Sequence, residues 1–120
     1  MGLDIGIIHI QYLARPHGWA YKFVWELAIE ASGSGYMHGD GNNWGPFTQR
    51  HVLQMLDEFA GDKGLDATAK AEVLAWVRSL PWEGWRDDLD ISAAQDDDHD
   101  PWVDGPNEQD GGLIELHFNW

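Results

Sequence analysis

Thr48–Pro81 (TQRHVLQMLDEFAGDKGLDATAKAEVLAWVRSLP) reads as two amphipathic helices joined by a short glycine turn, and that reading sets the fold class. Thr48 has the side chain of a helix N-cap. Phe47 before it and Val52 four places into the helix would form a hydrophobic staple. Val52, Met55, Leu56, Phe59 and Ala60 make the apolar stripe, which Gly61 is expected to end. After Gly61–Gly64, Asp66 caps a second helix from Ala67 to Leu80. Its stripe is Val73, Leu74, Trp76, Val77 and Leu80, and Pro81 stops it. The two helices form an αα-hairpin.

Upstream of this pair, Leu3–Leu13 (LDIGIIHIQYL) alternates as a strand, with apolar residues on both faces. Arg15–Gly18 reads as a turn. Trp19–Ala31 then sets Tyr21, Phe23, Trp25, Leu27 and Ile29 against Lys22, Val24, Glu26, Ala28 and Glu30, a period-two pattern that predicts a second strand. Ser32–Pro46 has five glycines and no period, so a loop is expected there. Downstream, Leu113–Trp120 (LIELHFNW) alternates again and predicts a last strand. The expectation is a single α+β domain over 1–120, order β-β-α-α-β. A small antiparallel or mixed sheet of about three strands would carry the αα-hairpin on one face.

Between the second helix and the last strand lies an acidic excursion, residues 83–112, with Pro101, Pro106, Gly105, Gly111 and Gly112 and no amphipathic repeat. From Glu83 to Asp110 it carries eleven acids against Arg86, which is -10 of the chain's -14. A uniform spread would place about five acids in such a window, so the clustering is a feature of its own. Haloadaptation would distribute acids over the whole surface, whereas the rest of the chain nets only -4. A charge of -14 with seven Lys and Arg repels phosphate backbones and anionic lipid, which argues against direct binding of nucleic acid or membrane. No apolar run approaches a membrane span and Met1–Ile10 has no basic n-region, so a cytoplasmic protein is expected. The chain has no cysteine, hence no disulfide, thiolate metal site or thiol nucleophile.

Candidate chemistries are thin. Asp96-Asp97-Asp98-His99-Asp100 offers hard oxygen ligands for Ca²⁺, but an EF-hand loop counted from Asp96 has Pro101 and Asn107 where Gly and Glu belong. His9, His117 and Glu115 would converge on Zn²⁺ only if the first and last strands are neighbours. Ser34, His38 and Asp40 crowd one glycine loop, unlike a triad assembled from separate elements. The glycines precede no Gly-Lys-Ser/Thr. The reading is therefore of a non-enzyme with no catalytic residue, cofactor or dedicated metal ligand.

What remains is a contact surface. Eight Trp is a high count for 120 residues, and Trp82, Trp85 and Trp102 sit among the carboxylates. Tryptophans serve as interface anchors or pin loops to cores, and nearby acids steer a basic partner. The partner-binding residues are expected to be Asp87, Asp88, Asp90, Asp96, Asp97, Asp98, Asp100 and Asp104 with Trp85 and Trp102. In size, acidity, Trp content and lack of catalytic motif the chain resembles small phage-encoded inhibitors of bacterial defence, the anti-CRISPR proteins that act as nucleic-acid mimics. Its opening Met1-Gly2-Leu3-Asp4 is similar to that of many small phage proteins. The resemblance implies a nucleic-acid-binding effector as partner and a bacterial host cytoplasm, and it carries over no residue role. The same physics suits an immunity protein that neutralises a basic nuclease toxin. A small metal-binding protein or enzyme is the third reading.

Overall fold

The structure, a computed structural model, describes residues 13–32, 42–92 and 107–119. Within them the elements run α1 (Gly18–Ser32), β1 (Asn42–Thr48), α2 (Gln49–Lys63), α3 (Ala67–Ser79) and β2 (Leu113–Asn119). Among the described residues the protein is a small α+β fold, with three helices and a two-stranded antiparallel sheet. The order among the described residues is α-β-α-α-β, so the second strand of the expected β-β-α-α-β order is a helix. The strand expected over Leu3–Leu13 lies outside the described residues except for Leu13 itself, which is exposed and irregular.

The segment expected as a second strand, Trp19–Ala31, is helix α1. Its buried residues are Ala20, Phe23, Leu27 and Ala28, with Trp19 and Ala31 packed beside the core, which is helical spacing. Phe23 and Leu27 are four apart, so they fit a period of two and a helical turn equally well. Two features break the tie. Thirteen residues exceed an ordinary strand, and the segment holds Ala20, Ala28, Ala31, Leu27, Glu26 and Lys22, all good helix formers. Trp25, which a strand would bury beside Phe23, is turned outward and 38% exposed.

Helix α2 begins where Thr48 predicts. The Thr48 hydroxyl accepts the His51 N–H at 3.1 Å, and Phe47 and Val52 are both buried in the core. Its end differs from expectation, because the helix runs past Gly61 to Lys63 and stops at Gly64. Gly64 is left-handed (φ 66°), and Leu65 N–H donates to Ala60 C=O at 2.9 Å, the Schellman arrangement. Only the residue at the reversal needs a positive φ, and that is Gly64. A pair of substitutions checks this assignment. Gly61→Ala, where a Cβ would meet nothing, should stabilise by about 0.5–1 kcal/mol. Gly64→Ala should destabilise by about 1–2 kcal/mol from the left-handed backbone. Urea titrations giving both variants the same sign would refute the placement of the cap.

Helix α3 is capped by Asp66, whose carboxylate accepts the Ala69 N–H at 2.8 Å. At its other end the Trp82 indole N–H donates to Val77 C=O at 2.7 Å, satisfying a terminal carbonyl. Val73, Val77 and Leu80 are buried, so this helix contributes its predicted stripe. Phe23 and Leu27 of α1, Phe47 of β1, Val52, Leu56 and Phe59 of α2, and Ile114 of β2 complete one core. The Phe23 and Phe59 rings stand 5.3 Å apart, and Trp19 meets Phe59 edge-on at 6.1 Å.

The sheet pairs β1 with β2 from Asn42↔Asn119 to Thr48↔Leu113. Residues 42–46 belong to the stretch whose glycines predict a loop, and with Phe47 and Thr48 they form a strand because β2 supplies the template. Among the described residues β1 pairs on one side only, where Pro46, which has no N–H to donate, is tolerated. Gly45 faces α1: a Cβ there would sit 2.7 Å from that of Ala31 and 2.6 Å from the Phe47 ring. The missing side chain lets the helix lie against the ribbon. A two-stranded ribbon alone is marginal, and this contact supplies its support.

Candidate functional site

The acidic excursion starts and ends at one place. Glu83 and Leu113 exchange both backbone hydrogen bonds at 2.9 Å, which brings the two ends of the tract together as a short antiparallel neck. The neck sits on the first turn of α2. Gln49 N–H donates to Gly112 C=O at 2.7 Å and Arg50 N–H donates to Asp110 C=O at 3.0 Å. With Thr48 serving His51, the first three amides of α2 are all satisfied, two of them by the returning limb of the tract. Asp110 is buried, and its carboxylate accepts the Asn107 N–H at 3.1 Å. An acid counted from sequence as surface charge is thus part of the interior, next to the positive end of a helix.

Two tryptophans fix the outgoing limb. Trp82 and Trp85 have ring centroids 5.5 Å apart and both pack against the core. The Trp85 N–H donates to the Asp87 carboxylate at 2.9 Å, and Asp87 also pairs with Arg78 of α3 at 2.8 Å. The two tryptophans therefore pin the limb. Asp88 is held by Arg86 through Nε at 3.2 Å and Nη2 at 3.3 Å. Hydrogen bonds and charge from the Arg86 guanidinium lower the Asp88 pKa below the usual carboxylate value of 3.8. Asp90 accepts from both the backbone and the hydroxyl of Ser92, at 3.0 and 2.6 Å. Asp87 and Asp88 remain largely exposed, at 70% and 78% of their side-chain surface. Exposed ion pairs of this kind hold geometry more than they add stability.

Asp87, Asp88, Asp90 and Trp85 are thereby brought onto one outgoing limb. Asp96, Asp97, Asp98, Asp100, Asp104 and Trp102 lie outside the described residues, as do His9, Ser34, His38, Asp40 and His99. Among the described residues no three His, Asp or Glu gather as a metal site, and no helix is long and apolar enough to cross a membrane. Glu115 is exposed on β2 and His117 half-buried.

No family model, curated protein or solved structure matches this chain. Its site is therefore read from its own residues.

Sequence reasoning missed Gln49. It occupies the first position of α2, is 1% exposed, and its carbonyl oxygen accepts from Arg86 N–H at 2.9 Å and Gly112 N–H at 3.2 Å. Its amide donates to Arg86 C=O at 2.5 Å. The available signal was the pair Gly111-Gly112. Gly111 is left-handed (φ 71°), and a Cβ on it would lie 2.5 Å from the Gln49 oxygen. A Cβ on Gly112 would lie 3.0 Å from Trp85 N and 3.1 Å from Glu83 O. Adjacent glycines before a strand mark close backbone approach.

Proposed function

We propose that this chain is a non-enzymatic inhibitor that occupies a basic, nucleic-acid-binding surface of a partner protein with its acidic excursion, in the manner of anti-CRISPR nucleic-acid mimics. One observation carries the reading. Residues 87–109 contain nine acids and no Lys or Arg, and the segments flanking them are joined at the neck on α2. Chain connectivity makes all nine charges leave and return through one point of the folded body. A duplex presents about one charge per 1.7 Å of axis, and basic channels built for that density respond to a concentrated row of carboxylates. Asp87, Asp88 and Asp90 form the described base of that row. Asp96, Asp97, Asp98, Asp100 and Asp104 extend it by sequence and Trp102 supplies apolar anchorage, while the Trp85 ring packs inward and pins the limb. A basic nuclease toxin would present the same kind of surface, so an immunity protein is the related alternative.

The test is capture from a bacterial lysate at low salt, followed by displacement with duplex DNA or RNA. A basic nucleic-acid-binding protein should be retained by the wild-type chain and released by the competitor. Replacing Asp96, Asp97, Asp98 and Asp100 with Asn should slow association with that protein about tenfold or more and flatten its salt dependence. The same variant should melt higher than the wild type, because like charges repel. Unchanged association by the Asn variant would leave the tract without a role in contact.

A further inference from the structure

We propose that Gln49 is the positioning residue for the base of the acidic excursion, a buried latch that sets where the exposed Asp88 carboxylate and the Glu108 backbone stand. This rests on the reading of the tract as the contact surface. Gln49 ties together three parts of the chain, bonding across 37 residues to Arg86 and across 63 to Gly112. It holds the Arg86 backbone from both sides, accepting from its N–H and donating to its C=O. The Arg86 side chain carries the constraint outward. Nε and Nη2 grip the Asp88 carboxylate, while Nη1 donates to Glu108 C=O at 2.9 Å. One hydrogen-bonded path thus runs from the interior at Gln49 to Asp88 on the outgoing limb and Glu108 on the returning limb. A primary amide suits this position because it offers an acceptor with two lone pairs and donors on the same planar group. Leucine has neither, and glutamate lacks the donor. A helix needs none of this from its first residue, whose own N–H is already served by Gly112. Fixing Asp88 and the two limbs before contact spares ordering cost at binding, so Gln49 would raise affinity without touching the partner.

Native-state hydrogen exchange of the whole chain tests the latch. In the wild type the amides of Arg86 and Gly112 should be protected and should open together as one unit. In Gln49→Leu both should lose protection, while Val73 and Val77 in α3 keep theirs. Gln49→Glu, which retains the acceptor oxygen, should restore part of it. Poly-L-lysine serves as the cationic probe, and Gln49→Leu should bind it about 3–10-fold more weakly than wild type. Unprotected or independently opening Arg86 and Gly112 amides in the wild type would overturn the latch even if Gln49→Leu fails to fold. Unchanged protection or unchanged probe affinity in a folded Gln49→Leu would overturn it equally. A wild-type chain that ignores poly-L-lysine would instead sink the contact-surface reading, and the positioning role with it, whereas the exchange data alone judge the hydrogen-bonded path.

Discussion

Replacing Phe23 with alanine is expected to lower the unfolding free energy by about 3–5 kcal/mol, a large share of the stability of an ordinary small domain. Phe23 is fully buried where α1 meets α2, its ring 5.3 Å from that of Phe59. Truncation removes apolar surface and leaves a cavity walled by helices that close only partly. Trp25→Ala is the informative partner experiment. Trp25 is 38% exposed and meets Tyr21 edge-on at 6.3 Å, so its loss should cost about 1 kcal/mol or less. Helix and strand predict opposite results for this pair. In a strand, Phe23 and Trp25 would share one face and their replacements would cost alike. Urea titrations with unchanged m-values decide the matter, and a Trp25→Ala cost equal to that of Phe23→Ala would remove α1 from the fold.

The same comparison shows which parts of this fold a single sequence makes legible. Capping is local chemistry, so Thr48 and Asp66 announced their helices within three residues of where the hydrogen bonds form. The alternation of Leu113–Asn119 likewise needed no partner to be read as a strand. Helix α1 is ambiguous by period because Phe23 and Leu27 satisfy two periods at once, and the apolar side chains between them mask the contribution of the alanines. Strand β1 was invisible for a different reason. Asn42–Thr48 has no alternation of its own and takes its conformation from pairing with residues some seventy positions away. The acidic excursion was legible as charge. That Asp110 belongs to the interior, and that Gln49 clasps both limbs, depends on backbone atoms of Arg86 and Gly112, whose residue types say nothing of such partners. Trp85 shows the ambiguity of tryptophan near acids: its ring packs inward on Trp82 while its N–H reaches Asp87.

Gly111→Ala should destabilise the protein by about 3–5 kcal/mol, the second large effect expected, although the change adds one methyl group. Two costs combine. The left-handed backbone at φ 71° costs an L-residue roughly 1–2 kcal/mol. The new Cβ would also stand 2.5 Å from the Gln49 oxygen and 3.0 Å from its Cβ, so the buried side chain must move. Moving it strands the part-buried amide of Arg86 and the buried amide of Gly112, and a fully buried donor left unmet costs about 1–3 kcal/mol. Gly84, equally left-handed (φ 86°), separates the two contributions, since its nearest neighbour to a new Cβ is Gly112 Cα at 3.9 Å. Gly84→Ala should therefore cost only the backbone part, about 1–2 kcal/mol. Combining Gly111→Ala with Gln49→Ala completes the cycle. If the clash is what matters, the double variant should cost less than the sum of its parts, because the side chain in the way is gone. Strict additivity would mean that Gly111 is needed for its backbone angle alone and that the neck is held by something other than Gln49.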